Sequence, residues 1–263
     1  MSMETPTDDR VVTLRMIERV ALITMADRTA RNTFSPALVR GLRECFAELA
    51  RRSDVRVVVI TGYDSYFCCG GTRAELLAMH EGRLRFSDVD FHDLLLRCEL
   101  PVIAAMQGHA IGGGLAFGCF ADLLVMAEEA FYSTNFLHYG FTPGFGASYI
   151  VPRKFGVFLG SEMLFSAANY AGWQLRERGA GARIVPRKEV VSTALALAQE
   201  LAEKPLTTLK LLKRDLAAGL REESSAAVQR ELQTQLTSFA LPEVRERIEQ
   251  LFPEPGAAEA RRS

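Results

Sequence analysis

Residues 109–118, HAIGGGLAFG, place three consecutive glycines, Gly112, Gly113 and Gly114, between a strand-like flank and a helix-like one. Glycine adds no side chain to a core and loses the most backbone entropy on folding. A run of three at such a junction therefore serves the path of the backbone, or something that must approach it. The segment before it, PVIAAMQG, is a continuous apolar run, the pattern of a strand covered on both faces. VRVVVITG is a second such run. It ends at Gly62 and leads into a second glycine-rich turn, GYDSYFCCGGT, over Gly62–Thr72. DLLVMA reads as a third strand. Helical stretches separate the three, and that alternation predicts α/β architecture.

Upstream, VVTLRMIERVALITMA reads as strands Val11–Ile17 and Val20–Met25 joined at Glu18 and Arg19. Ser35 followed by Pro36 reads as an N-cap with proline at the first helical position. Leu38, Leu42, Phe46 and Leu49 recur at helical spacing, which predicts a helix over Pro36–Arg51. After Pro186 the strand signal stops. Val190–Lys204, Leu206–Leu220, Ser225–Phe239 and Pro242–Leu251 read as successive helices. The expected organisation is an α/β core over 1–186, a helical region over 187–252 and a disordered polar tail over 253–263. The body shows neither sequence repeats nor low-complexity segments.

The formal net charge of −1 implies no general affinity for nucleic acid or an anionic membrane. No apolar run approaches the ~20 residues of a membrane span. The polar, acidic start, MSMETPTDD, is unlike a signal or transit peptide, so a cytoplasmic protein is expected. The five cysteines, Cys45, Cys68, Cys69, Cys98 and Cys119, are odd in number and match no zinc spacing. They read as small buried hydrophobes in a reducing compartment. With neither a metal cluster nor a nucleotide fingerprint in the sequence, no metal and no cofactor are expected.

The glycines then acquire a chemical meaning. A helix that begins within Gly112–Gly114 exposes unpaired backbone N–H groups and carries partial positive charge. Glycine lets a ligand oxygen come close to them. One such turn also serves plain helix–strand packing. Two, each after a buried strand, point to two N–H groups converging on one oxygen: an oxyanion hole, which stabilises an enolate or a tetrahedral anion. Phosphate binding fits less well, because GxxxxGK[ST] is absent and GHAIGGG does not match G-x-G-x-x-G.

VRVVVITG, YFCCGGT, PVIAAMQGHAIGGGLAFGCFADLLVMAEEAFY, GFTPGFGASYIVPRKFG and KPLTTLKLLKRDL together resemble the crotonase (enoyl-CoA hydratase/isomerase) superfamily over roughly residues 10 to 252. The resemblance implies a spiral of ββα units with a helical C-terminal region, assembled as a homotrimer or a dimer of trimers. It implies an acyl thioester substrate on the phosphopantetheine of an acyl carrier protein or CoA, with no further cofactor. It also implies that Gly71 and Gly113 supply the oxyanion N–H groups.

Hydratases of this superfamily carry two glutamates. The corresponding positions here are Ala116 and the neighbourhood of Asn135 and Phe136, with no carboxylate at either. FTPGFGA, CCGGT, AMQGHAIGGG and FYSTNF resemble instead the decarboxylase branch of polyketide β-branching cassettes. That branch removes the terminal carboxylate of a 3-methylglutaconyl group on a carrier protein. It uses a lysine after the first oxyanion turn and a histidine in the C-terminal helices. Here EGRLRFSDVD offers Arg83 or Arg85, and Gln235 or Ala240 falls where the histidine is expected.

Arg83 is thus the candidate anchor for the substrate carboxylate, with Arg73 as its rival. An arginine can grip a carboxylate with two hydrogen bonds but is a poor proton donor. His138, before YGFTPGFG, is the candidate acid or base. His109, Tyr66, Tyr139 and Asn135 are further candidates for contact with substrate. Lys210, Lys213 and Arg214 share one face of a predicted helix and are candidates for docking an acidic carrier, with Leu209, Leu212 and Leu216 expected to pack inward. The same hole would also serve an enoyl isomerase, and a non-catalytic carrier-binding subunit is the alternative of another class.

Overall fold

The structure, a computed structural model, describes residues 10–84 and 91–252. Arg85 and the expected tail over 253–263 lie outside the described residues. The first pair of strands is antiparallel, β1 (Val12–Ile17) with β2 (Val20–Met25). The helix α1 (Pro36–Leu49) follows, its N-terminus capped by the Ser35 hydroxyl, which accepts the Leu38 N–H.

Three similar units come next. β3 (Val57–Thr61), β4 (Tyr66–Cys68) and α2 (Arg73–His80) form the first. After the short α3 (Leu94–Arg97), the second is β5 (Val102–Met106), β6 (His109–Ile111) and α4 (Gly113–Cys119). The third runs through β7 (Leu123–Ala127), β8 (Phe131–Ser133), a 3₁₀ turn at Leu137–Tyr139, and the helices α5 (Ala147–Phe155) and α6 (Val157–Ser166). β9 (Asn169–Ala171), α7 (Gly172–Glu177) and β10 (Arg183–Val185) close the α/β part.

In each unit the first strand joins one sheet and the second joins another. The larger sheet has the order β1-β2-β3-β5-β7-β10 and the smaller β4-β6-β8-β9. Every residue of β3 and β5 is buried, as their unbroken apolar sequences require. The units repeat in structure without repeating in sequence, because burial asks for apolar residues at set positions and not for particular ones.

The smaller sheet positions the site. β4 and β6 are parallel neighbours, with Tyr66 opposite His109 and Cys68 opposite Ala110. Both strands therefore end on the same side, and the glycine-rich turns that follow them emerge together.

α8 (Arg187–Ala202) packs on β2, β3, β5, β7 and β10, covering the larger sheet. α9 (Leu206–Phe239) is one helix of 34 residues where the sequence predicts two. The expected break at 221–224, REES, contains neither proline nor glycine, and Gly219 stands in open space within the helix. α10 (Pro242–Leu251) has the predicted bounds. No helix among the described residues is long and apolar enough to cross a membrane.

Candidate active site

Each glycine of the triple run meets a different demand. Gly112, the N-cap of α4, has φ +56°, which few side-chain-bearing residues adopt. A Cβ on Gly113 would lie 2.9 Å from the Phe34 ring, and one on Gly114 would lie 2.1 Å from the Cys68 carbonyl oxygen. The first turn of α4 is thus pressed against the end of β4. A Cβ on Gly70 would come within 3.1 Å of the Gly113 nitrogen, so the two turns meet at the amide of interest. Among the described residues, neither the Gly71 nor the Gly113 N–H has a protein acceptor.

Both glycines line one cleft. Phe34, Phe136, Phe141, Phe145 and Phe252 form its apolar walls. Phe34 stacks on Phe145 at 4.9 Å between ring centroids. Such walls exclude water and strengthen the attraction between an amide N–H and a developing oxyanion.

Asn135, Tyr139 and Glu75 bring polar side chains to the cleft. Asn135 sits over the glycine turn, with Oδ1 2.7 Å from where a Cβ on Gly112 would be. Tyr139 is 8% exposed, and burial raises the pKa of its phenol above the ordinary value. Cys69 also lines the cleft, but burial pushes its thiol up to about 12, so it is not a nucleophile near neutral pH. The five cysteines are all unpaired.

Sequence reasoning missed Glu75. Its Oε2 accepts the Thr72 N–H at 2.8 Å and the Thr72 hydroxyl at 2.9 Å, while the Glu75 N–H donates back to Thr72 Oγ1 at 3.1 Å. This capping box starts α2 directly after Gly71. The signal was present as TRAE behind the double glycine, the T-x-x-E pattern of such a box.

The cleft therefore unites Gly71, Gly113, Asn135 and Tyr139, and leaves other candidates outside its lining. His138 is exposed on the 3₁₀ turn, with its side chain turned away while its neighbour Tyr139 faces in. Arg83 is exposed at the surface, where Glu81 holds its guanidinium, with Nε 2.8 Å from Oε2. His109 accepts the Phe131 N–H at Nδ1 and stacks on the Phe131 ring; burial, then Arg187, lowers its pKa. These contacts join β6 to β8. Tyr66 packs beside His109 and Tyr63, and Arg73 starts α2 outside the cleft wall.

Lys213 requires a larger correction. It is 4% exposed, and its ammonium bonds both oxygens of Asp122. The buried face of α9 here is Leu209, Lys213 and Ala217, whereas Leu212 and Leu216 are 55% and 63% exposed. Leu209 is buried as expected, but Lys213 turns inward to its ion pair with Asp122 while Leu212 and Leu216 face outward. Lys210 remains at the surface, paired with Glu99, and so does Arg214, beside Asp215.

Residues 15–255 match the family model described as enoyl-CoA hydratase/isomerase. Bacillaene synthase decarboxylase PksI of Bacillus subtilis (strain 168) is 44% identical over 243 residues, covering 92% of this chain and 98% of that protein. A solved structure of a dehydratase/decarboxylase enzyme couple involved in polyketide β-branching superposes with a TM-score of 0.91 at 43% identity, over 93% of this chain and 100% of its own. The ECH2 decarboxylase domain of CurF from Lyngbya majuscula gives a TM-score of 0.90 at 40% identity, with the same coverage.

Proposed function

The chain belongs to the enoyl-CoA hydratase/isomerase family, and we propose that within it this protein is a decarboxylase of polyketide β-branching. Its substrate is a 3-methylglutaconyl-type thioester on the phosphopantetheine arm of an acyl carrier protein. The observation that carries this reading is the pair of unclaimed amides, Gly71 and Gly113, in one cleft, with Ala116 and the neighbourhood of Asn135 and Phe136 standing where the resemblance places a hydratase's two carboxylates. The similarity to PksI and to the CurF domain supports the same chemistry.

The reaction breaks the bond between the terminal carboxylate and the acyl chain. CO₂ leaves, and the bonding electron pair moves through the conjugated system to the thioester oxygen. The Gly71 and Gly113 N–H groups stabilise the resulting dienolate. A proton then adds to carbon. Tyr139 is the donor this cleft offers, since burial keeps its phenol protonated. No group besides the carrier's pantetheine enters the scheme.

The exposed apolar side chains of α6, Val157, Phe158 and Phe165, support assembly as a homotrimer or a dimer of trimers. The unpaired cysteines suit a cytoplasmic setting.

Glu75 favours a second reading. A carboxylate in the cleft lining could shuttle a proton between carbons in an enoyl isomerase, although one of its oxygens is engaged by Thr72. Mass spectrometry of 3-methylglutaconyl carrier protein after incubation separates the readings. Loss of CO₂ is expected. A product of unchanged mass with a shifted double bond indicates the isomerase, and recovery of unaltered substrate indicates a non-catalytic carrier-binding subunit.

A further inference from the structure

Asn32 is fully buried in the loop between β2 and α1, and its backbone is left-handed, at φ +52°. Asparagine is one of the few residues with a side chain that visits this conformation routinely. The Asn32 side chain is spent entirely on main chain. Nδ2 donates to the Met25 carbonyl at 3.0 Å and to the Phe67 carbonyl at 2.9 Å, and Oδ1 accepts the Asp27 N–H at 2.8 Å. Both amide hydrogens are thereby used. One side chain thus ties the end of β2 to β4, the strand that leads into the first glycine turn.

The backbone after Asn32 runs beside that turn. The Asn32 carbonyl accepts the Cys69 N–H at 3.3 Å and the Cys68 S–H at 3.0 Å. Two residues on, the Phe34 N–H donates to the Gly70 carbonyl at 2.7 Å. Thr33, between them, pairs with Gly70 as a parallel bridge. These bonds fix the plane of the Gly70–Gly71 peptide. In a planar trans peptide the C=O and the N–H point in opposite directions. With the Gly70 carbonyl turned to Phe34, the Gly71 N–H is turned away from it, and among the described residues that N–H has no protein acceptor. A peptide with glycine on both sides can turn over at small steric cost. A carbonyl would then replace the donor and repel an oxyanion. The bond from Phe34 opposes that rotation.

We propose that Asn32 is a positioning residue of the oxyanion hole: by setting residues 32–34 against 69–70, it holds the Gly71 amide in its donating orientation. This rests on the use of the Gly71 N–H in the decarboxylase reading and adds the side chain that aims it. Asn32 acts through the backbone, since its own side chain does not line the cleft. A donor already aimed needs no reorganisation when charge develops on the substrate oxygen. Losing the aim therefore weakens the hold on the transition state more than the hold on the substrate.

Infrared spectroscopy of a bound, isotopically labelled thioester carbonyl tests the proposal. 3-Methylglutaryl-pantetheine keeps the terminal carboxylate but lacks the double bond needed to lose it, so it serves as an unreactive probe. Its carbonyl should absorb at lower frequency in the wild-type protein than in water, because the hole donates hydrogen bonds to it. Asn32→Gly keeps the left-handed backbone and deletes the side-chain bonds. In this variant the frequency should return part of the way to its value in water, as one donor of the pair is lost. With 3-methylglutaconyl carrier protein, kcat should fall by up to about 10²–10³, the range for one oxyanion donor, with KM near the wild-type value. A merely structural Asn32 would lower the melting temperature and leave the frequency and kcat of the folded variant unchanged, and that result overturns the proposal. Asn32→Asp tolerates the same backbone and lacks both donors, and it gives the same decision should Asn32→Gly not fold. If neither folds, the fold itself depends on Asn32 and the proposal is overturned as well. A wild type without the frequency shift refutes the hole and the proposal together. A wild type whose shift is lost in the variant, yet which releases no CO₂ from 3-methylglutaconyl carrier protein, refutes the decarboxylase reading and leaves the role of Asn32 standing.

Discussion

Lys213 Nζ lies 2.7 Å from both carboxylate oxygens of Asp122, and the same Asp122 accepts the Val102 N–H at the start of β5. The pair ties α9 to the strand that leads into the second glycine turn. Lys213 is buried while Asp122 keeps 21% of its side chain exposed, so removing the lysine should cost less than the ~3–5 kcal/mol typical of a fully buried pair. Lys213→Met should lower the urea midpoint accordingly, and adding Asp122→Asn should recover much of the loss. Equal midpoints for wild type and Lys213→Met would refute the structural role.

Proline at Gly113 would remove the N–H at the first position of α4, where a helix tolerates proline. A Cβ there meets the Phe34 ring at 2.9 Å, so some stability is lost; in the protein that folds, kcat should fall by about 10²–10³, the loss typical of one oxyanion donor. Far-ultraviolet circular dichroism checks the fold and a CO₂-release assay checks the rate. Undiminished turnover in the folded variant would mean that this amide does not carry the transition state.

Tyr139→Phe deletes the proposed donor and keeps the ring. A loss of about 10²–10⁴ in the protonation step is expected, the usual contribution of a positioned acid. In the wild type, burial raises the phenol's pKa above its ordinary 10.0. The active form is the protonated one, so a raised pKa extends activity toward alkaline pH. The rate should not fall on Tyr139's account between about pH 6 and about pH 9. A basic limb within that range that vanishes in Tyr139→Phe would contradict the environment described.

Of the three residues proposed to dock a carrier, Lys210 and Arg214 are exposed and Lys213 is buried. Exposed charges steer association and are screened beyond ~8 Å at physiological salt. Lys210→Glu with Arg214→Glu should slow turnover of carrier-bound substrate, most strongly at low salt, and spare a short pantetheine thioester. Equal slowing of both substrates would place the defect in folding or assembly.

The strands and the glycine-rich turns were legible because they depend on patterns a sequence displays directly. Unbroken apolar runs named β3, β5 and β7, the glycine-rich turns after two of them drew attention to the ends of β4 and β6, and the family resemblance singled out Gly71 and Gly113 within them. Side-chain direction was less legible. His138 and Tyr139 are adjacent, yet a 3₁₀ turn sends one outward and the other into the cleft. Lys213 looked like part of a charged helix face because its partner, Asp122, is 91 positions away. Glu75 was hidden by the local nature of its signal: a capping box is expected wherever a helix begins, and only the fold shows that this one begins beside the cleft.

The parallel pairing of β4 with β6 has a consequence for how this protein can change. The Gly71 and Gly113 amides belong to main chain that follows a strand ladder, so replacing a side chain elsewhere in the cleft leaves them in place. On the proposed mechanism, such replacements alter which group gives or takes a proton, and which acyl chain fits, while the activation of the thioester persists. A laboratory lineage begun from this chain can therefore explore new reactions at Asn135, Tyr139 and Glu75 without first rebuilding the means of stabilising an enolate.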